Sequence, residues 1–203
     1  MKVTKKFALA VFLFTFVNIV SAQETTSTKS SSSFGIKGGL NFSTVSKGKF
    51  EEGPDPRTSF YIGFLGEIPL VENVLSLQPE VVYSRQGFET NVQPILGSKY
   101  KVTYQIDYVN VPILAKIYLG KIFSIEAGPQ FGFKVSEKTE SSNNSSSFEN
   151  NVKSFDTAIA AGVSFNFSEG AFISGRFTQS LNEVIKDSNS KNMVFQVGIG
   201  FKM

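Results

Sequence analysis

Six charged residues sit where a chemistry could be built: Lys37, Glu67, Glu80, Lys116, Glu126 and Arg176. Carboxylates beside lysine or arginine can hold a proton, select an ion or form a buried ion pair. What they lack decides more. The 203-residue chain contains no His and no Cys. A Ser–His pair, a thiolate nucleophile and a His/Cys metal site are therefore all excluded. Catalysis by carboxylates alone survives that test, but no spacing brings two acids into one cleft. No Gly-rich phosphate loop is present either. Gly198-Ile199-Gly200 falls inside a strand pattern, where small residues make room for neighbours. The expectation is a protein that is not an enzyme and holds no cofactor or metal.

The elements that carry these charges alternate with period two. The clearest pair runs over residues 104–135. Val109, Val111, Ile113, Ala115 and Ile117 alternate with Asn110, Pro112, Leu114, Lys116 and Tyr118. After a tight turn at 119–121, Phe123, Ile125, Ala127, Pro129, Phe131, Phe133 and Val135 alternate with Ser124, Glu126, Gly128, Gln130, Gly132 and Lys134. Period two is the strand period. Each arm reaches the roughly 9–11 residues that a tilted strand needs to cross a bilayer.

The same pattern predicts strands over 34–45, 58–70, 75–85, 154–167, 171–181 and 192–203. Lys37, Glu67, Glu80 and Arg176 fall on the polar parity of theirs. Short turns follow the second, fourth and sixth strands, and longer polar connections follow the first, third, fifth and seventh. Such sorting belongs to membrane barrels with short periplasmic turns and long outer loops. The fold expected is all-β: an eight-stranded antiparallel up-and-down transmembrane β-barrel over 34–203. A bulge is expected before Tyr108, where the alternation is less clean. Pro69, Pro79, Pro112 and Pro129 are each expected near a strand end or a bulge, because proline removes a ladder donor.

Residues 1–22 read as a cleavable signal peptide: Lys2, Lys5 and Lys6, then an apolar run to Val17, then Val20-Ser21-Ala22. Residues 23–33 read as a flexible polar leader. Three of the 20 Lys and Arg lie in the signal segment and none of the 17 acids does, which leaves 17 of each and a formal net charge of zero. The basic excess belongs to targeting, so no nucleic-acid partner is expected. Residues 136–153, rich in Ser and Asn, are expected to form a solvated outer loop.

LSLQPEVVYSRQG (75–87), YVNVPILAKIYL (108–119), FSIEAGPQFGF (123–133), the 161–181 segment and the closing VFQVGIGFKM resemble the PorT-like porin-family outer-membrane β-barrels. The resemblance covers the chain from Phe34 onward. It implies an eight-stranded barrel in the outer membrane of a Gram-negative cell, with outer-membrane lipid and the barrel-assembly machinery as partners. A further surface or periplasmic protein partner stays unidentified. Such barrels usually end on an aromatic residue; here Phe201 is followed by Lys202 and Met203.

Two readings of the six charges stand side by side. They line a narrow pore for small solutes or protons, or they form an ion-paired cluster that fills the barrel. An interior of eight strands is just wide enough for side chains to fill, which favours the second. The expected role is structural or interaction-based: a barrel anchoring surface loops in the cell envelope. The alternatives are a porin-like channel, a component of a protein-secretion apparatus, and a soluble ligand-binding barrel. The last needs apolar residues facing inward, and the charges hold that parity.

Overall fold

The computed structural model describes residues 32–46, 54–92, 100–141, 152–167, 170–184 and 189–203. Eight strands form the fold: β1 (Ser33–Val45), β2 (Asp55–Val71), β3 (Leu75–Val92), β4 (Tyr100–Leu119), β5 (Phe123–Ser141), β6 (Phe155–Asn166), β7 (Ala171–Ser180) and β8 (Asn192–Lys202). Each pairs antiparallel with the next, and β8 pairs back onto β1 to close the barrel. The expected signal peptide and most of the leader lie outside the described residues. Ser33, the last residue assigned to that leader, instead opens β1.

The alternation sorts side chains as a membrane requires. Phe64 is 69% exposed and Ile199 is 68% exposed, while Glu80 and Lys116 are nearly inaccessible. Water would penalise such an outer face by about 25 cal/mol per Å²; hydrocarbon does not. Phenylalanines mark both rims of this belt. Phe123 and Phe165 meet at 5.3 Å near the short turns, and Phe133 and Phe155 at 5.3 Å near the opposite end. No helix among the described residues is long and apolar enough to cross a membrane. Crossing by strands needs none, because a closed ladder satisfies the backbone internally.

The wall is uneven. β3, β4 and β5 have 18, 20 and 19 residues, whereas β6, β7 and β8 have 12, 10 and 11. The polar connection read over 86–100 is thus a correction: β3 continues to Val92 and β4 begins at Tyr100. Likewise β5 runs to Ser141, into the stretch assigned to the 136–153 loop. Beyond the upper aromatic rim the outer face bears Glu89, Lys101 and Lys138 instead of apolar residues. The inner face there mixes Phe88, Val102 and Ile106 with Gln86 and Thr90, so the apolar-outside, polar-inside contrast vanishes although the ladder continues.

The bulge expected before Tyr108 is present as a register shift between Asp107 and Tyr108 against β5. The prolines need a second correction. Pro69 lies at the irregular end of β2, as expected. Pro79, Pro112 and Pro129 lie inside their strands, away from bulges. The ladders instead skip pairs beside them without changing register. β3–β4 passes from Pro79/Ile113 to Val82/Asn110, and β4–β5 from Pro112/Gln130 to Ala115/Ala127. A missing donor removes local bonds; it does not force an extra residue into the strand.

Candidate functional site

The lumen is built from the inward parity of all eight strands. At its centre lies Arg176 on β7. Its Nη1 and Nη2 each donate to one carboxylate oxygen of Glu80 at 2.7 Å, and its Nε donates to Glu126 Oε1 at 2.8 Å. Lys37 reaches the same Glu80 carboxylate at 3.1 and 3.2 Å. Two cations and two carboxylates thus form a neutral quartet drawn from β1, β3, β5 and β7. The planar guanidinium suits this role because its donors fork toward two acceptors.

Gln78 links the quartet to the lower mouth. Its amide donates to Glu80 at 2.7 Å and to Glu126 at 3.1 Å, while its carbonyl accepts from Lys116 Nζ at 3.1 Å. Nearer the short turns, Glu67 accepts from Lys202 at 3.0 Å and from the Tyr118 hydroxyl, with Lys116 at 3.8 Å. All six residues singled out by sequence parity therefore face the lumen. Lys116 stands directly opposite Glu126, as the turn predicts. The two do not pair, however: Glu126 is taken by Arg176, and Lys116 turns to Gln78 and Glu67. Parity gives facing positions but not which of several long side chains reaches which.

Gln78, Tyr118 and Lys202 complete the cluster, and the sequence reading left them out of it. Their inward parity was available. A neutral amide, a phenol and a penultimate lysine carry weaker signals than mid-strand charges. Above the quartet, Asn41 donates to Ser84 at 3.0 Å and to the Arg85 carbonyl at 2.6 Å, and accepts from Gln196 at 2.8 Å. Higher still, Gln86 bonds Ser84 and Asn192. Apolar side chains fill the spaces: Leu65, Val82, Leu114 and Phe172 are all buried inside.

Toward the upper end, segments between strands pack against the inner wall. Val152 and Val184 pack with Ile106 and Tyr108 of β4 in a small apolar cluster. Two bonds hold it in place: Lys153 N–H donates to the Val184 carbonyl at 2.8 Å, and the Lys134 side-chain Nζ donates to the Val152 carbonyl at 2.7 Å. The glycines at 198 and 200 do make room. A Cβ on Gly198 would stand 2.2 Å from the Tyr61 hydroxyl, and one on Gly200 2.2 Å from the Phe172 ring.

A lipid-facing belt on a closed eight-stranded ladder, with a packed polar interior, is the architecture of a small outer-membrane barrel. The model of the family described as "outer membrane protein beta-barrel domain" matches residues 21–186. The chain belongs to this family. It is accordingly an outer-membrane protein of a Gram-negative bacterium. Among solved structures it is similar in fold to Neisserial surface protein A, with a TM-score of 0.55 and 12% identity, over 84% of this chain and 97% of that one. It also matches Ail, the attachment invasion locus protein of Yersinia pestis, at a TM-score of 0.49 and 14% identity, over 84% of this chain and 98% of that one. OprG of Pseudomonas aeruginosa matches at 0.48 and 13%, over 84% and 95%. No curated protein matches the chain.

Proposed function

We propose that this outer-membrane barrel is a structural or interaction protein that anchors surface loops in the cell envelope, and that it neither conducts solutes nor catalyses a reaction. One observation carries the reading: bonded polar side chains occupy the lower mouth and centre of the interior, and an apolar cluster packs above them. Glu67, Lys202 and Tyr118 occupy the mouth, the Arg176 quartet the centre, and the Val152–Val184 cluster the top. A filled interior of this width leaves no continuous water path. The six charged residues then serve to fix strand register, the best-attested use of a buried polar cluster.

The motifs shared with PorT-like barrels support the narrower assignment to that group. In that case residues 1–22 direct export and the barrel-assembly machinery folds the chain. The motifs equally admit a place in a protein-secretion apparatus, with the long β3–β5 wall as the surface offered to a partner. A narrow channel is the competing reading, and the packing of Arg176 against Glu80 and Glu126 opposes it.

Two measurements test the proposal. Outer-membrane fractions run unboiled should give a compact, fast band that slows after boiling; a soluble protein with no such shift would reverse the assignment of inside and outside. In planar bilayers the refolded protein should give no stable conductance steps. Glu126→Gln should lower the unfolding midpoint, because Arg176 loses a charged partner, and should still give no steps. Large, stable steps from either protein would show that the lumen conducts.

A further inference from the structure

The ladders leave one strand edge open. β5 pairs with β4 up to Ser141, but with β6 only up to Phe133, which faces Phe155. One further bond, from Lys134 N–H to the Ser154 carbonyl at 2.9 Å, ends that side. The chain before Ser154 leaves β5: Lys153 N–H bonds the Val184 carbonyl, and Val152 packs inward with Ile106 and Tyr108. Among the described residues no strand pairs with the β6-side edge of β5 over 135–141. The other flank of the same wall is guarded. There β2 follows β3 up to Asp55 opposite Glu89, with Pro56 in its ladder, and the Pro54 carbonyl accepts from the Thr44 hydroxyl at 3.0 Å. Prolines of this kind blunt an edge.

Alternate residues of an antiparallel strand turn N–H and C=O to alternate neighbours. Lys134 turns them toward β6. The register shift opposite Asp107 inserts Val135 and carries that phase onto the odd residues above it. Glu137, Thr139 and Ser141 therefore direct N–H and C=O to the open side, while Lys138 and Glu140 bond β4. The side chains of Lys138 and Glu140 are exposed on the outward face, opposite the uncharged Gln105 and Thr103 of β4. A strand added antiparallel to β5 would continue the line of β6 upward. It would set one residue beside Glu140 and, two positions later, another beside Lys138.

We propose that this edge of β5 takes an extended peptide segment of a partner protein as an added antiparallel strand, with a basic residue beside Glu140 and an acidic residue two positions later beside Lys138. The inference deepens the interaction role proposed above and rests on it. Backbone bonds to Glu137, Thr139 and Ser141 supply the affinity. The two cross-strand charge pairs select the sequence and its direction.

Residue-resolved amide hydrogen exchange on the full refolded barrel tests this, with two peptides as probes: Thr-Lys-Thr-Glu-Thr and the charge-swapped Thr-Glu-Thr-Lys-Thr. In the free protein the Lys138 and Glu140 amides should exchange slowly and those of Glu137 and Thr139 fast. The first peptide should slow the fast pair, and the swapped one should bind roughly tenfold more weakly. Thr139→Pro removes an edge donor and leaves the β4 ladder intact. It should keep the compact unboiled band and lose peptide binding. Exchanging the charges, Lys138→Glu with Glu140→Lys, should invert the preference between peptides, which keeps the test open if the proline variant does not fold. Glu137 and Thr139 amides as protected as Lys138 and Glu140 in the free protein would overturn the proposal, because the chain itself would then cover the edge. So would the absence of binding by either peptide, or equal binding to the Thr139→Pro protein. Failure here without conductance in bilayers removes this edge alone; stable conductance steps would remove the interaction role itself.

Discussion

Replacing Arg176 by methionine is expected to cost the barrel about 3–5 kcal/mol, the penalty for removing one side of a buried ion pair. The reason is geometric. Among the described residues Arg176 is the only cation that bonds both carboxylates of the central quartet, through three of its nitrogens. Without it, Glu80 and Glu126 face each other across the lumen with Lys37 as the remaining cation of the quartet. Both acids are almost wholly buried, so water cannot screen them. Arg176→Lys should recover part of the loss, since a single ammonium carries the charge but cannot fork between two carboxylates. The companion protein carries Lys37→Met, Glu80→Gln, Glu126→Gln and Arg176→Met together. It should unfold closer to the parent than Arg176→Met alone, because no unpaired charge remains. Urea unfolding of the refolded barrel measures all three. If Arg176→Met unfolds with the parent, the quartet does not hold the barrel together. If the fourfold variant is the worst of the set, the charges contribute through their own attraction and not merely by avoiding isolation.

The comparison between pattern and structure turns on what faces lipid. Where the outer face is hydrocarbon, every strand was legible, because Phe, Ile and Val on one parity can only be outside when Lys37, Glu80 and Arg176 hold the other. The bulge near Tyr108 was legible too, as a fault in the alternation. Above the aromatic rim the outer face meets water, and the tops of β3, β4 and β5 ceased to look like strands. The interior was half legible for a different reason. Parity placed Lys116 opposite Glu126, yet the partner of Glu126 comes from β7, 50 residues along the chain. Such a contact depends on barrel closure and stagger, quantities that no local window contains.

Closure itself gives the other large effect. Gly39→Ala is expected to abolish the compact, heat-modifiable form, while Gly175→Ala leaves it intact. Gly39 of β1 faces Gly198 of β8 across the seam that closes the barrel. A Cβ at Gly39 would stand 2.1 Å from the Val197 carbonyl oxygen and 2.5 Å from the Gly198 Cα. Both are backbone atoms and cannot rotate aside. Side-chain overpacking costs about 1–3 kcal/mol when neighbours can shift; here the shift would have to open the β1–β8 ladder. Its consequences would spread inward. Tyr61 lies across Gly198, and Lys37 Nζ sits 5.7 Å from the Tyr61 ring centroid, so a displaced seam disturbs the charged quartet as well. Gly175 is the control because a Cβ there meets nothing within 4 Å. Alanine on that outward position adds only a methyl group to the lipid face. Boiled and unboiled gel mobility of the two variants separates the cases. A Gly39→Ala protein that still runs as a compact band would mean that β1 and β8 do not meet in this register. The Arg176 quartet, which spans the same closed ring, would then have to be assembled another way.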